Sequence, residues 1–252
     1  MPTTEPISIP WCLILHLYET WNLNETQFAI LMFVGIALCI ACAYFIGSIS
    51  PSIIISNRML HDDVRKHGSG NAGATNMLRN YGAKFAVLTL FLDMLKAAVA
   101  MGIGYLIYQK DGAAIAGLFA VIGHMFPAYY RFHGGKGVAC ATAVALLMLH
   151  PVAFLILLVC YMAILFMTKY VSLASIMSVL LFPMVQHAFH PEEGTAFLCA
   201  LVIAVFVVFM HRENIKRLYE GQESKIDFSK FRRKKKTTDS DADVTQDGEE
   251  HE

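Results

Sequence analysis

Charged side chains are scarce in this chain of 252 residues. Asp, Glu, Lys and Arg make up only 16%, whereas hydrophobic residues reach 56% and the mean hydropathy is +0.50. Soluble domains carry about 25% charged residues, so this shortage excludes an ordinary soluble domain and predicts an integral membrane protein. The formal net charge is zero. Since no basic patch has the interleaved aromatic residues of a base-stacking groove, no nucleic-acid partner is predicted.

Motifs for metal binding and redox chemistry are missing as well. The six cysteines lie mostly within apolar segments, where a thiol behaves as a small hydrophobic group, and they lack zinc-ligand spacing. Carboxylates that could hold magnesium are absent from the loops on the predicted cytoplasmic side, apart from Asp62 and Asp63. We therefore predict that the chain works without a metal ion or an organic cofactor.

Long apolar runs, by contrast, fill most of the chain. A helix needs about 20 residues to cross roughly 30 Å of hydrocarbon. Seven runs approach or reach that length, at residues 28–48, 85–108, 113–130, 138–149, 152–167, 171–188 and 195–210. Several are short for a complete span, so tilted helices or a locally thinned bilayer are expected. The predicted fold is an all-α bundle of about seven transmembrane helices, with short or re-entrant cytoplasmic loops forming the site.

The distribution of basic residues predicts the orientation of this bundle. Lys and Arg concentrate in the connections on one side, which should face the cytoplasm, and seven spans then place the N-terminus outside. The predicted divisions are an extracytoplasmic or interfacial segment (1–27), the membrane domain (28–211), a basic cytoplasmic segment (212–236) and an acidic disordered tail (237–252). The basic cluster at residues 232–236 is expected to contact anionic membrane lipids.

The loop at residues 65–79 is the most informative polar segment. It reads R-K-H-G-S-G-N-A-G-A-T-N-M-L-R and contains no carboxylate. Glycine permits positive φ, so backbone N–H groups can converge on an anion, and the flanking bases supply positive charge. A plain turn would explain the glycines alone. The exclusion of acids favours a binding site for phosphate.

Three further polar clusters lie on the same predicted side of the membrane. They are G-S-I-S from Gly47, the combination of G-H-M-F-P from Gly123 with G-G-K-G from Gly134, and H-R-E-N-I-K-R-L from His211. The G-G-K-G segment combines backbone amides with an ammonium at the start of a helix, which also suits an anion. The alternatives are a serine cap for the first cluster, a topology-setting lysine for the second and an interfacial anchor for His211.

One charged pair is expected inside a membrane span. Asp93 and Lys96 are three residues apart, so they share one face of a helix. A charged side chain facing lipid would cost about 2.5 to 3.5 kcal/mol. We therefore expect the two residues to pair in the bundle interior or to support the site.

The order and spacing of these motifs closely resemble the bacterial acyl-phosphate:glycerol-3-phosphate acyltransferase family, the PlsY type, over about residues 30–235. One difference is Cys140, since the family usually has threonine after G-G-K-G-V-A. The resemblance implies a seven-helix enzyme of the bacterial inner membrane with its site at the cytoplasmic face. It also implies acyl phosphate and glycerol 3-phosphate as substrates, 1-acyl-glycerol 3-phosphate as product, and a soluble acyl-phosphate-forming enzyme as a candidate partner.

The same resemblance, together with the chemistry of the residues, suggests the composition of the site. The expected catalytic residues are Ser48, Arg65, Lys136, Ser172, His211 and Asn214. The expected phosphate- or substrate-binding residues are Gly68, Ser69, Gly70, Asn71, Thr75, Asn76, Gly134, Gly135 and Gly137. Either His211 or a substrate phosphate accepts the proton of the glycerol hydroxyl.

Two other classes of protein compete with this interpretation, namely a transporter and another type of lipid-synthesis enzyme. A transporter of a phosphorylated anion could use basic, glycine-rich loops beside short spans, but all four clusters lie on one side. A CDP-alcohol phosphotransferase needs D-G-x-x-A-R, and Asp111-Gly112 is followed by A-A-I-A. Acyltransferases that use acyl-CoA carry H-x-x-x-x-D, which this sequence lacks. Acyl-CoA is therefore disfavoured as the donor, and acyl phosphate is the donor that the family resemblance implies.

Overall fold

The computed structural model describes residues 12–226, and all regular elements in that range are helical. The predicted basic cluster and acidic tail, from residue 227 onward, lie outside the described residues. Two 3-10 turns occur at Val64–Lys66 and Ala128–Tyr130. The α-helices are α1 (Leu13–Thr20), α2 (Glu25–Gly47), α3 (Pro51–Met59), α4 (Ala74–Tyr81), α5 (Ala83–Met125), α6 (Val138–Met148), α7 (Pro151–Thr168), α8 (Val171–Phe189), α9 (Gly194–Met210) and α10 (Arg212–Tyr219).

Helix α5 contains two of the predicted spans. Tyr108 and Gln109 have non-helical backbone angles, and Gln109 has a φ of 49°. A methyl group added to Gly104 would overlap the backbone of Gly112, and the reverse is also true. These residues are eight positions apart, so they can touch only because the chain reverses between them. The two arms therefore form a helical hairpin whose tight packing depends on glycine.

The seven predicted apolar segments are all helical, in the predicted order. Within residues 12–226, four helices are long and apolar enough to cross a membrane, and α9 with α10 supplies a fifth if this pair, bent by 56°, forms one span. Helix α6 has only 11 residues, which is too short to cross a bilayer. The all-α, multi-span class is thus confirmed, while several boundaries differ from the prediction by a few residues.

Local signals explain where the first long helix begins. The side chain of Asn24 accepts a hydrogen bond from the backbone N–H of Gln27, and the Gln27 side chain accepts one from the backbone N–H of Asn24. This reciprocal arrangement satisfies two N–H groups that would otherwise lack partners at the start of α2. Further along, α2 packs closely on α5, because extra methyl groups at Gly47 and Gly123 would overlap the backbone of the opposite helix.

Polar connections collect at one end of the bundle, which we call the loop end. It carries α3, α4, residues 126–137, the α7–α8 connection and α10. At the opposite end, the Cys12 thiol donates to the Ile107 carbonyl at 3.2 Å and Lys110 pairs with Glu193. Helices α1 and α10 therefore lie at opposite ends of the bundle, and all four predicted polar clusters share the loop end.

Candidate active site

Asn76 organises the glycine-rich loop that precedes α4. Its side chain is 1% exposed. Its Nδ2 donates to the carbonyls of Val64, at 2.9 Å, and His67, at 3.0 Å. Its Oδ1 accepts from the backbone N–H of Ser69, at 3.1 Å, and from Nδ2 of Asn80, at 3.0 Å. Because both donors and both acceptor positions are used, Asn76 shapes the loop more than it binds a ligand.

Two glycines in these loops are required by backbone geometry. Gly68 has a φ of +58°, and a methyl group there would overlap Oδ1 of Asn76. Gly137, the N-cap residue directly before α6, has a φ of +83°, and a methyl group there would overlap the Met125 side chain. Any other residue would be strained at either position. Gly68 therefore lets the chain pack around Asn76, and Gly137 lets it turn into α6.

Arg65, which the sequence predicts to neutralise substrate charge, is paired with Asp63 in the structure. Nε of Arg65 lies 3.0 Å from Oδ1 of Asp63, and Nη2 lies 2.8 Å from Oδ2. These hydrogen bonds hold the pKa of the Asp63 carboxyl below its usual value. Asp63, two residues away, already balances the charge of this guanidinium, and the pair lies outside the cavity. Arg79, on α4, lines the cavity instead.

The G-G-K-G segment packs against the end of α5. The backbone N–H of Gly135 donates to the His124 carbonyl at 3.1 Å. Methyl groups on Gly134 or Gly135 would overlap atoms of His124. Both glycines therefore support the loop from beneath, outside the cavity. Lys136, the next residue, points into the cavity and donates to Oδ1 of Asn214, and burial lowers the pKa of its ammonium to about 8.

The start of α10 and the chain after it close the site. Glu223 is 8% exposed, and its Oε1 accepts from the Ser172 hydroxyl at 2.8 Å and from Nδ2 of Asn214 at 2.7 Å. Its Oε2 accepts from Nε of Arg217 at 2.8 Å. Although burial raises the pKa of this carboxyl, hydrogen bonds from Asn214, Arg217 and Ser172 hold it below its usual value. Glu223 thus ties the start of α8 to α10, two helices that α9 separates in the chain.

His211 lies at the bend between α9 and α10. It is 3% exposed, and its Nδ1 lies 2.7 Å from the Val207 carbonyl. A carbonyl oxygen only accepts, so Nδ1 carries the hydrogen of this bond. In the neutral ring, Nε2 is then an acceptor.

Ser48, another predicted catalytic residue, has its hydroxyl hydrogen-bonded to the backbone. The Ser48 hydroxyl donates to the Tyr44 carbonyl at 2.8 Å and accepts from the backbone N–H of Ala128 at 3.3 Å. The side chain is fully buried and does not line the cavity. These two hydrogen bonds join the end of α2 to the connection after α5.

These elements surround a cavity of about 370 Å³ at the loop end. Nine of the predicted residues line it, namely Ser69, Asn71, Thr75, Asn76, Lys136, Gly137, Ser172, His211 and Asn214. Six do not, namely Ser48, Arg65, Gly68, Gly70, Gly134 and Gly135. Arg79, one of the basic residues that flank the predicted phosphate loop, also lines the cavity. Sequence reasoning missed Glu223, which lines it as well.

A second, apolar cavity of about 280 Å³ continues from the first between α5, α6, α7 and α8. The two cavities share Leu90, Val138, Ala139, Tyr161 and Ser175. Its other walls are largely aliphatic or aromatic, including Phe154, Leu157, Val179 and Phe182. We call this second cavity the apolar groove. A ligand with a phosphate head and a hydrocarbon chain could place its phosphate in the polar cavity and its hydrocarbon chain in the apolar groove.

One group of possible metal ligands lies at the wall of the first cavity. Atoms of Asp93, His124 and Cys140 are close enough together to hold an ion. The Lys96 ammonium, however, lies 2.8 Å from Asp93 Oδ1 and 3.0 Å from His124 Nδ1. This ammonium already occupies the position between two of the three ligands, so the group does not fit a cation. The predicted pairing of Asp93 with Lys96 is confirmed.

The described fold and cavities define a class of protein. It is an all-helical, multi-span membrane protein in which a cationic, polar cavity at one end opens into an apolar groove between helices. Such a combination suits an enzyme that works on a phosphorylated, acyl-bearing substrate at the membrane surface.

The chain belongs to the glycerol-3-phosphate acyltransferase family, whose model matches residues 37–221. A glycerol-3-phosphate acyltransferase of Finegoldia magna is 40% identical over 191 residues, covering 76% of this chain and 96% of that protein. The enzyme of the same name from Bacillus subtilis is 36% identical, with 76% and 97% coverage.

Solved structures of a family member are also similar. The crystal structure of PlsY, described as an integral membrane glycerol 3-phosphate acyltransferase in its glycerol 3-phosphate form, superposes with a TM-score of 0.69. It is 33% identical and covers 78% of this chain and 98% of that one. The lysophosphatidic acid form gives a TM-score of 0.67, with 34% identity and coverage of 76% and 95%. The fold and family expected from the motifs are thus confirmed.

Proposed function

We propose that this acyltransferase moves an acyl chain from acyl phosphate to the sn-1 hydroxyl of glycerol 3-phosphate. The products are 1-acyl-glycerol 3-phosphate and inorganic phosphate, so the reaction belongs to phospholipid biosynthesis. The observation that carries the proposal is the continuity of the cationic cavity with the apolar groove. Family membership and the two PlsY structures support the same reaction.

The chemistry demands little beyond positioning and charge stabilisation. Phosphate is a good leaving group, so neither a covalent acyl-enzyme nor strong protonation of the leaving group is needed. Two anions must be held side by side while negative charge develops on the carbonyl oxygen. We assign charge neutralisation to Lys136 and Arg79, and assign phosphate binding to the loop at Ser69, Asn71 and Thr75. All five residues line the same cavity.

His211 is our candidate acceptor for the proton of the glycerol hydroxyl. Its Nδ1 donates to the Val207 carbonyl, which leaves Nε2 free of that bond and suited to accept a proton. Asn214 and Ser172, held by Glu223, lie beside it in the cavity wall. A substrate phosphate is the alternative acceptor.

The acyl chain fits the apolar groove between α5, α6, α7 and α8. Its residues on α6 run from Val138, shared with the polar cavity, to Ala145, about 10 Å further along the helix. Carbon atoms near the carboxyl end would then lie by the phosphate site, and the remaining chain would extend towards the bilayer centre.

We further propose that the loop end faces the cytoplasm of a bacterial inner membrane. Arg58, Arg79, Lys84 and Lys136 lie there, which agrees with the excess of basic residues in cytoplasmic connections. In this orientation glycerol 3-phosphate enters from the cytoplasm. A soluble enzyme that forms acyl phosphate would deliver the donor at the same surface.

The test is product formation by purified protein in detergent or lipid, with no added metal, comparing palmitoyl phosphate and palmitoyl-CoA as donors. We expect 1-palmitoyl-glycerol 3-phosphate and one equivalent of phosphate from the acyl phosphate alone. Product from the thioester alone would overturn the donor. Product from neither donor, with folded protein, would overturn the reaction.

In the same assay, His211→Gln distinguishes the two proton acceptors. If His211 is the base, turnover should fall by about 10²- to 10⁴-fold while the KM values stay near those of the parent. A loss of less than tenfold would assign the proton to a substrate phosphate.

A further inference from the structure

Three ionisable side chains meet between the two arms of α5, at the wall of the polar cavity, which Asp93 and His124 line. Asp93 is 1% exposed, Lys96 7% and His124 6%. Lys96 Nζ lies 2.8 Å from Asp93 Oδ1, and His124 Nδ1 lies 3.1 Å from the same oxygen and 3.0 Å from the ammonium. Each member therefore contacts both of the others. We call this group the α5 cluster.

The α5 cluster joins parts of the chain that are distant in sequence. Asp93 and Lys96 lie on the first arm of the α5 hairpin, and His124 ends the second arm. Lys96 Nζ also donates to the Ile49 carbonyl at 2.6 Å, just after the end of α2. One buried group thus connects both arms of the hairpin with the end of a neighbouring helix.

The remaining face of His124 meets the G-G-K-G segment. Its carbonyl accepts from the Gly135 N–H at 3.1 Å. Its ring edge at Nε2 lies so close to Gly135 that a methyl group on that residue would overlap it. Since Lys136 follows directly, the position of the His124 ring decides where the Lys136 backbone lies relative to the cavity.

We infer that Asp93, Lys96 and His124 act as positioning residues that hold Lys136 in place for the substrate phosphate. The inference rests on the proposed function, because it concerns the role of Lys136 in that reaction. Each of the three buried ionisable groups has a partner within the cluster. The cluster therefore avoids the strong destabilisation that an unpaired buried charge would cause. Together the three residues form a rigid base beneath a loop that contains three glycines.

The variant that tests this is His124→Asn, whose side-chain amide can still meet Lys96 and Asp93 but has no ring edge against Gly135. We expect kcat/KM for glycerol 3-phosphate to fall by about 10- to 100-fold, because a displacement of about 1 Å can have an effect of this size. Cys140→Ser is the matched control. Cys140 donates to the Asp93 backbone carbonyl at 3.3 Å, and serine keeps this hydrogen bond. Its kinetics should match those of the parent within about threefold.

A double-mutant cycle separates positioning from general stability. If His124 acts through Lys136, then His124→Asn should lower kcat/KM by less than about threefold in a Lys136→Arg background, where the ammonium is already absent. Losses that multiply independently would overturn the inference. Parent kinetics in His124→Asn would also overturn it. Activity of the parent protein in the same assay tests the proposed function separately.

A second variant covers the case in which His124→Asn does not fold. The pair Asp93→Asn with Lys96→Met removes both charges together, so that neither charge is left buried alone. We expect folded protein with the same coupled loss in kcat/KM. Failure of both variants to fold would assign the α5 cluster to bundle stability and overturn its positioning role.

Discussion

Two arginines of the same loop region should respond very differently to truncation. Arg79 lines the polar cavity and, among residues 12–226, makes no hydrogen bond or ion pair. Arg65 is paired with Asp63 through two side-chain hydrogen bonds, at 3.0 and 2.8 Å. The substitutions Arg79→Ala and Arg65→Ala remove the same charge, so each is the control for the other.

The structure suggests the size of each effect. A hydrogen bond to a charged group contributes about 1.5 to 3 kcal/mol, so loss of Arg79 from a substrate phosphate should lower kcat/KM by about 10- to 150-fold. The Arg65–Asp63 pair is partly exposed, with 32% and 20% of the side chains accessible. Such pairs contribute about 0 to 1 kcal/mol to stability. Because the Arg65 side chain does not line the cavity, Arg65→Ala should lower stability slightly and cost less kcat/KM than Arg79→Ala.

The assay is phosphate release with palmitoyl phosphate and varied glycerol 3-phosphate, together with the thermal midpoint of each purified variant. Arg79→Ala should keep the midpoint of the parent, whereas Arg65→Ala should lower it slightly. Equal losses of kcat/KM in the two variants, or a larger loss in Arg65→Ala, would refute the placement of Arg79 as the cavity's arginine.

Two further predictions concern the pH dependence of kcat/KM and the preference for the length of the acyl chain. Because burial lowers the pKa of the Lys136 ammonium to about 8, and the charged form binds phosphate, kcat/KM should decline as the pH rises above that value. Lys136→Arg should lower the plateau and remove this decline, since arginine stays charged; a parent profile that is flat to about pH 10 would contradict the assignment. Ala145→Phe should fill the far part of the apolar groove and shift preference from palmitoyl towards decanoyl phosphate. Leu146→Phe, on the 46% exposed neighbour, is the control, and an unchanged preference in Ala145→Phe would exclude the groove as the acyl site.

Much of the polar site follows from short-range sequence rules. Glycine-rich segments without acids identify the loops at Ser69 and Lys136, and helical spacing pairs Asp93 with Lys96. The same rules could not show that Arg65 pairs with Asp63, because these residues are only two positions apart and the backbone angles of the intervening turn decide whether they meet. Nor could they show that the Ser48 hydroxyl accepts from the backbone N–H of Ala128, which belongs to a connection 80 residues later.

Glu223 shows the limit of sequence reasoning most clearly. It follows Gly221, where a φ of +69° turns the chain away from α10, so helical periodicity could not place it. Only the folded chain brings its carboxylate to Ser172, 51 residues earlier. The hydrogen bond from the Ile226 N–H to the Lys169 carbonyl, at 2.8 Å, then holds this segment across the α7–α8 connection.

The sequence alone determined the membrane class, the order of the apolar helices and the gathering of polar motifs at one end. These properties depend on composition and on periodicities that act within a few residues. The tertiary structure decided which arginine enters the cavity, how the α5 cluster supports Lys136, and which four helices enclose the apolar groove. Those outcomes depend on the packing of helices distant in sequence, and small residues at the contacts, such as Gly104 and Gly123, decide how closely the helices approach.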